Sequence, residues 1–453
     1  MFRSPSFKLL LLLFLFLLLV IPITMVQHKT EDRSRSQSQA QFSVAQHWTG
    51  KQWLGSPVIA IPYQTKAIVQ NNGYSAASRQ LWAFVPAKEA SLNAELSVEK
   101  RKKGIYEIPV YRSRFQIQGY FQTEDIASAM EKLAADPSVD HIGQAILSLS
   151  FADMRGLEQQ SLDINGQTQS FEVGSKLKNL SQGLHHQMAN LIDTEKSKKI
   201  DFAVSLQLKG MSEIYYLPLA QSNTFSLQAN WPHPKFMGAQ LPLDYKIEAN
   251  SFSANWHSNH FALDNLGYIE SCLKQNNCAV LERKNRLLLG VDFINPVDIY
   301  LKTERAIKYA FLLIGLSFMV FYIIEHIKGL SMHPIQYAFV GLAIAIFYLL
   351  LLALAEHIGF AFAYLLSTVA CSALLYGYLK RVLKNQALTL SFSAGIVSLW
   401  ALLYIIIQAE DFALLMGSIL VFALLSALML GTRNIDWYSL GQTNKSPSDD
   451  KPN

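Results

Sequence analysis

Residues 337–355 read YAFVGLAIAIFYLLLLALA and contain no Asp, Glu, Lys or Arg. About 20 apolar residues in a helix cross the roughly 30 Å hydrocarbon core of a bilayer, so this run is typical of a membrane span. Similar apolar runs surround it, and Lys308 at the end of one of them can snorkel to the headgroups. The C-terminal part therefore predicts a bundle of five transmembrane helices. They are residues 306–324, 337–355, 358–379, 386–409 and 412–432.

The chain opens on a further apolar run, LLLLLFLFLLLVIPITMV at residues 9–26, which follows Arg3 and Lys8. A positive flank before an apolar run is typical of a signal peptide or of an uncleaved anchor. No small-x-small cleavage motif follows closely, because the next residues are Gln-His-Lys. Residues 1–26 are therefore predicted to form an uncleaved signal-anchor helix.

Composition agrees with this concentration of apolar residues. The 453 residues are 51% hydrophobic and 16% charged, whereas a soluble chain carries about a quarter charged residues. The net charge of +5 is small for this length, and we predict no nucleic-acid partner. Three cysteines cannot staple a disulfide scaffold. Membrane lipid is the partner that the composition implies.

Loop charges predict the orientation of the six spans. Lys380, Arg381 and Lys384 follow the fourth span and Arg433 follows the sixth, while the two intervening turns lack Lys and Arg. Cationic loops stay in the cytoplasm, so both termini and the tail 433–453 are expected there. Residues 27–305 are then exported.

The exported segment reads as β-protein. Residues 27–45 are polar and rich in Gln and Ser, which predicts a flexible tether. Residues 46–305 contain short alternating runs, a hairpin signal at 163–166 and one amphipathic helix at 123–135. We predict a large, mainly antiparallel and sandwich-like β-domain of one or two lobes, followed by the five-helix α-helical membrane bundle.

Motifs for catalysis or cofactors are missing from the sequence. P-loop, dinucleotide, zinc-protease and nucleophile-elbow patterns do not occur, so we predict no enzyme activity, no cofactor and no metal. Cys272 and Cys278 bracket LKQNN in the exported segment. A disulfide closing a short hairpin loop is the first interpretation, and two buried thiols are the alternative.

Several polar or small residues are candidates for interaction. The acidic turns hold Glu356, His357, Glu410 and Asp411, which could dock the β-domain through Lys302 and Arg305, or could be charged only because loops are wet. Gly359, Ala363, Ser367 and Cys371 recur every four residues, as in close helix packing.

In the exported part, the stiff Trp-Pro-His-Pro run suggests Trp231 and His233 as a binding surface, with a rigid turn and a core Trp231 as the alternative. The basic run 100–103 is a solvated turn or a contact for anionic lipid headgroups.

Several long segments resemble the CreD family of bacterial inner-membrane proteins. They are GIYEIPVYRS (104–113), WPHPKFMGAQLP (231–242), NPVDIYLKTERAIKYAFLLIGLSF (295–318), HPIQYAFVGLAIAIFYLLLLALAEHIGFAFAYLL (333–366) and NIDWY (434–438). The resemblance implies a Gram-negative inner-membrane protein of cell-envelope integrity and stress response, linked to tolerance of colicins and β-lactams. It implies no catalytic residues.

The sequence therefore favours a protein that binds an unidentified envelope protein or envelope component through its periplasmic domain. An alternative is a lipid-handling or envelope-modifying enzyme with a site between bundle and domain. A third is a sensor, which would need a signalling partner because the cytoplasmic parts are short. The oligomeric state stays open.

Overall fold

The structure is a computed structural model of the whole chain. It describes residues 5–69, 75–76, 78–177, 180, 182–188, 198–274, 278, 280–293, 299–327, 332–409 and 412–433. The chain divides into two compact units. A membrane unit contains residues 1–38 and 297–453, and a β unit contains residues 39–296.

The described helices are α1 (Pro5–Leu18), α2 (Val20–His47), α3 (Thr123–Ala135), α4 (Asn265–Lys274), α5 (Lys284–Leu287), α6 (Ile299–Lys308), α7 (Ala310–Ile327), α8 (Pro334–Ile358), α9 (Phe360–Val382), α10 (Gln386–Gln408) and α11 (Ala413–Thr432). Six helical stretches in the described part of the chain are long and apolar enough to cross a membrane. They are Phe7–His47, Ile299–His326, Pro334–Ile358, Phe360–Val382, Gln386–Gln408 and Leu415–Thr432.

Local chemistry sets the ends of the membrane helices. His333 caps α8 by accepting from the Ile335 N–H, and a proline begins the helix. Gly359 has φ +78° and ends α8 while α9 begins at the next residue, a backbone that glycine adopts at little cost. Asn385 caps α10 through its side-chain oxygen.

Residues 27–45 form helix, not the flexible tether that the sequence suggested. The helix α2 runs from Val20 to His47, and Pro22 explains why it is separated from α1, since its ring clashes with the carbonyl of Leu18. Segment 27–45 contains neither Gly nor Pro, so nothing in it opposes a helix. Tertiary contacts then stabilise it. Thr30 is 1% exposed in the membrane unit, and Ala40 packs with strand residues of the β unit.

The β unit contains twenty described strands. They are β1 (Gln52–Gly55), β2 (Val58–Thr65), β3 (Ile68–Val69), β4 (Ser75–Ala76), β5 (Gln80–Pro86), β6 (Glu89–Lys103), β7 (Tyr106–Gln122), β8 (Val139–Ile142), β9 (Ile146–Ser150), β10 (Leu157–Ile164), β11 (Gln167–Gln169), β12 (Glu172–Val173), β13 (Gly183–Gln187), β14 (Lys199–Met211), β15 (Glu213–Leu217), β16 (Ser222–Ala229), β17 (Pro234–Gly238), β18 (Asp244–Ile247), β19 (Phe252–Asn259) and β20 (Leu289–Phe293).

These strands form one sheet of eight strands, in the order β11-β10-β14-β7-β6-β16-β19-β18, and smaller sheets of six, four and two. Pairing is antiparallel except for β1 with β15 and β6 with β16, among the strands described. The predicted hairpin is present: β10 pairs with β11 across Asn165 and Gly166, both at positive φ as a type I′ turn requires.

Two buried layers hold the β unit together. The inward residues of the eight-stranded sheet, such as Phe115 and Trp256, share one core with residues from the six- and four-stranded sheets. The opposite face of those smaller sheets packs under α4 and α5, through residues such as Tyr215 and Ile269. The strands β1 and β15 are consequently buried on both faces. The mainly antiparallel, sandwich-like prediction is confirmed.

Candidate functional site

The largest sheet presents one face to solvent, which we call the polar face. Its long strands alternate buried and exposed residues, as in β6, β7 and β14. The strand registers align the outward residues into rows that cross the sheet. The central row ends at Asp244 on β18, and on six further strands it consists of uncharged amides and hydroxyls: Ser161, Ser205, Gln116, Asn93, Ser226 and Asn255. At about 4.8 Å per strand this row is about 24 Å long.

Two shallow depressions lie on the polar face. One of about 650 Å³ is lined by Glu95, Arg114 and Gln228, among others. The second, of about 430 Å³, is lined by polar groups that include Gln118 and Tyr120. Amides and hydroxyls both donate and accept hydrogen bonds, so this face suits a ligand rich in hydroxyl and amide groups.

A charged cluster lies elsewhere in the β unit, around Glu213. Its side chain is 7% exposed, and its carboxylate accepts from Lys51 Nζ at 2.6 Å, Lys284 Nζ at 2.9 Å and the Tyr215 hydroxyl at 2.8 Å. Burial opposes ionisation, but these donors outweigh it and lower the pKa of Glu213. Asp292 lies opposite Glu213 in the β15–β20 ladder. Burial, and then the charge of Glu213, raise the pKa of Asp292.

The cluster around Glu213 is suited to holding structure. Both carboxylate oxygens already have donors, and these come from the residue before β1, from β15 itself and from α5. The cluster therefore joins three elements of the β unit. A carboxylate that is fully occupied by its own protein is poorly placed to act as a general base.

The membrane unit contains a buried ion pair between Lys8 of α1 and Glu325 of α7. Their side chains are 15% and 9% exposed. The Tyr337 hydroxyl donates to the other carboxylate oxygen at 2.7 Å, and Lys8 Nζ also donates to the Met332 carbonyl at 2.8 Å. The N-terminal helix thus supplies the cation for an acidic group on another helix of the unit.

A second polar group in the membrane unit involves the turn residue Glu356. Its side chain is 7% exposed, and Oε1 lies 3.3 Å from Arg33 Nε and accepts from the Tyr300 hydroxyl at 3.1 Å. The sequence suggested Lys302 and Arg305 as partners of this turn. Lys302 instead donates to Gln408 Oε1 at 3.0 Å. The cation that pairs with Glu356 comes from the segment wrongly expected to be a tether.

The structure describes few contacts for the other acidic-turn residues. His357 is exposed. Glu410 and Asp411 lie outside the described residues. The structure places Arg305 in α6, and Lys308, the last residue of that helix, pairs with Glu304 at 3.1 Å.

Trp231 belongs to the core of the β unit and is not an exposed binding residue. It is 6% exposed, packs edge-on against Phe293 and donates from Nε1 to the His233 carbonyl. His233 itself is exposed, immediately before β17. The Trp-Pro-His-Pro run is therefore a rigid entry into a strand, which was the alternative interpretation.

The basic run 100–103 is also not a turn. These residues end β6 and pair with β7, and the turn falls at Gly104, where φ is +61°. Lys100 lies 3.2 Å from Glu107, and the Arg101 guanidinium lies 3.7 Å from the ring centroid of Trp48. Much of the positive charge is thus engaged within the β unit.

The structure joins Cys272 and Cys278 in a disulfide. Cys272 lies in α4, so the bond ties down the end of a helix rather than closing a hairpin loop. In the membrane unit, Ala363, Ser367 and Cys371 are buried, and the Cys371 thiol approaches the Ala343 carbonyl of α8 at 3.7 Å. Gly359 lies at the turn between the two helices.

Sequence reasoning missed the polar face and the partners of Glu325 and Glu213. A signal for the first exists: β6 reads EASLNAELSVE, with small or apolar residues alternating with Glu, Ser and Asn. The ion pairs join residues that are 71 to 317 positions apart in the chain, so no local pattern indicates them. Groups of three or more His, Cys, Asp or Glu residues that could hold a metal were not found among the described residues.

These features define a class: a multi-span membrane protein that carries one large β unit between its first and second apolar helices. The chain belongs to the CreD family, since the family model "Inner membrane protein CreD" matches residues 4–438. It is 32% identical over 399 residues to inner membrane protein CreD of Escherichia coli (strain K12), covering 88% of this chain and 86% of that protein. It is therefore a multi-pass inner-membrane protein.

Proposed function

We propose that this protein maintains cell-envelope integrity by binding an envelope component through a periplasmic β unit. Both termini would lie in the cytoplasm, and residues 27–305 in the periplasm. This orientation rests on the cationic loops at Lys380–Lys384 and Arg433. Membership of the CreD family supports a role in the inner membrane.

The polar face carries the proposal. A solvated sheet face is ordinary in antiparallel proteins, but an uncharged row of amides and hydroxyls across six strands is a specific chemistry. Side chains of this kind exchange hydrogen bonds with a ligand without the desolvation that charged groups require. Peptidoglycan, with its sugar hydroxyls and peptide amides, is the envelope component that fits this chemistry best.

Binding can be tested with the purified full chain and isolated peptidoglycan sacculi. We expect the protein to sediment with sacculi, and the double variant Gln116→Ala/Gln228→Ala to do so at least tenfold more weakly. Gln144→Ala is the matched control, because Gln144 is an exposed amide just before β9. Equal sedimentation of all three proteins would contradict the assignment of this face, and no sedimentation would contradict peptidoglycan as the ligand.

The biological role is tested separately, by complementation of a strain that lacks the gene. Envelope integrity is measured as survival in detergent and in a β-lactam. The face variant should fail to restore survival although it accumulates normally in the membrane, and the Gln144 variant should restore it.

A further inference from the structure

The edge strand β18 exposes apolar side chains to solvent. Leu243, Tyr245 and Ile247 are 82%, 61% and 48% exposed. Tyr245 and Ile247 lie on the core side of the eight-stranded sheet, since they pair with buried Ala254 and buried Phe252, and Leu243 immediately precedes the strand. The core side of the sheet is therefore only partly covered by other elements at its last strand, β18. An apolar patch of this kind is typical of an interaction site.

The backbone of the same strand has a free edge. β18 pairs with β19 alone among the described strands. The Glu248 N–H donates to the Ser251 carbonyl, which continues the β18–β19 register by one pair. Bonding alternates along an antiparallel ladder, so Asp244 and Lys246 turn their backbone groups to β19. The N–H and C=O of Tyr245 and Ile247 consequently point outward.

We propose that a second copy of this chain pairs with β18, antiparallel and two-fold symmetric about Tyr245. In this register Tyr245 lies opposite Tyr245 of the second copy, and Ile247 of one copy lies near Leu243 of the other, whose N–H is already donated to the Asn255 carbonyl of β19 at 2.7 Å. Asp244 lies opposite Lys246 of the second copy on the polar side, so each edge contributes one anion and one cation. Opposite charges on facing strands stabilise a pair, and the contact is self-complementary and closed.

Other registers conflict with the charges. A symmetric pairing about Lys246 places two lysines opposite each other and Asp244 opposite Glu248. A pairing about Asp244 places two aspartates opposite each other. Like charges directly opposite are unfavourable, and both registers also use residues whose backbone groups already face β19. Among pairings whose charged residues both lie within β18, the pairing about Tyr245 is the one that places opposite charges together, and it would join two polar faces into one continuous surface.

The first test is disulfide trapping with the full chain in membranes. Residues directly opposite as a hydrogen-bonded pair have Cα atoms about 5.5 Å apart, within the reach of a disulfide. Tyr245→Cys should therefore give a covalent dimer on mild oxidation. Lys246→Cys should cross-link at least tenfold less, because in this register each Lys246 faces Asp244. The parent chain, with Cys272–Cys278 bonded and Cys371 buried, is the background control.

The second test is charge exchange, read as molecular mass in detergent. Asp244→Lys and Lys246→Asp should each shift the protein to monomer, and the double variant should restore the dimer. These positions are exposed, so the single variants should fold. A monomeric parent chain, equal trapping at 245 and 246, or a double variant that remains monomeric would overturn the proposal.

Discussion

The ion pair between Lys8 and Glu325 offers a sharp test of the role of the N-terminal helix. We consider the substitution Lys8→Met, which keeps an unbranched chain of similar length and removes the charge. Both side chains are at most 15% exposed, and the pair joins α1 to α7. Because Glu325 would lose its cation in a buried setting, the membrane unit should become less stable.

The expected loss of stability depends on the hydrogen bonds that Glu325 keeps in the variant. Removing one partner of a buried ion pair costs about 3–5 kcal/mol when the remaining charge has no other donor. Here the Tyr337 hydroxyl still donates at 2.7 Å, and the Met332 N–H lies at 3.3 Å. We therefore expect a loss of about 2–3 kcal/mol. For a unit of this size, that loss lowers Tm by about 4–12 °C.

The assay is thermal unfolding of the full chain in detergent, followed by the loss of the monodisperse peak. Lys29→Met is the matched control, since Lys29 is exposed on α2. The double variant Lys8→Met/Glu325→Gln should lose less than the sum of the single variants, because neither charge is then left alone. A Lys8→Met protein as stable as the Lys29→Met control, or strictly additive losses, would show that the ion pair does not stabilise the membrane unit.

Three further outcomes are expected. Gly341→Val should lower Tm, because a Cβ there would overlap Cδ1 of buried Leu19, whereas Gly395→Val, with nothing within 4 Å of its Cβ, should not. Glu213→Gln should lower the unfolding free energy of the β unit by about 2 kcal/mol at pH 7, since hydrogen bonds to charged groups contribute about 1.5–3 kcal/mol. Because folding lowers the pKa of Glu213 from 4.5, the difference from the parent should begin to shrink as pH falls below 4.5 and should be lost below the folded-state pKa. Asp292→Asn should raise stability at pH 7, because the folded state raises the pKa of Asp292 and favours its protonated form, and this gain should vanish below pH 3.8 in denaturant titrations at several pH values.

The periodicity of apolar residues predicted the secondary structure that depends on local sequence pattern. Uncharged runs of span length indicated the six apolar helices, and alternation with turn residues indicated the antiparallel β-protein. The hairpin at Asn165-Gly166 was predictable because its turn requires residues that tolerate positive φ.

The sequence-based predictions that failed concern residues whose placement depends on tertiary contacts. Segment 27–45 is polar and reads as a linker, yet it is helical and includes buried Thr30 and Ala40. The sequence leaves Trp231 open as a surface anchor or as a core residue, and its packing against Phe293 places it in the core. The partner of Glu356 was misassigned because Arg33 is more than three hundred residues away in the chain.

Photocrosslinking in living cells would show directly whether the polar face binds an envelope component. A photoreactive amino acid placed at Asn93 or Gln228 should form adducts that carry peptidoglycan fragments, identified by mass spectrometry after muramidase digestion. The same probe at Gln144 should not. Adducts of equal yield at all three positions, or peptidoglycan adducts from Gln144 alone, would contradict the account.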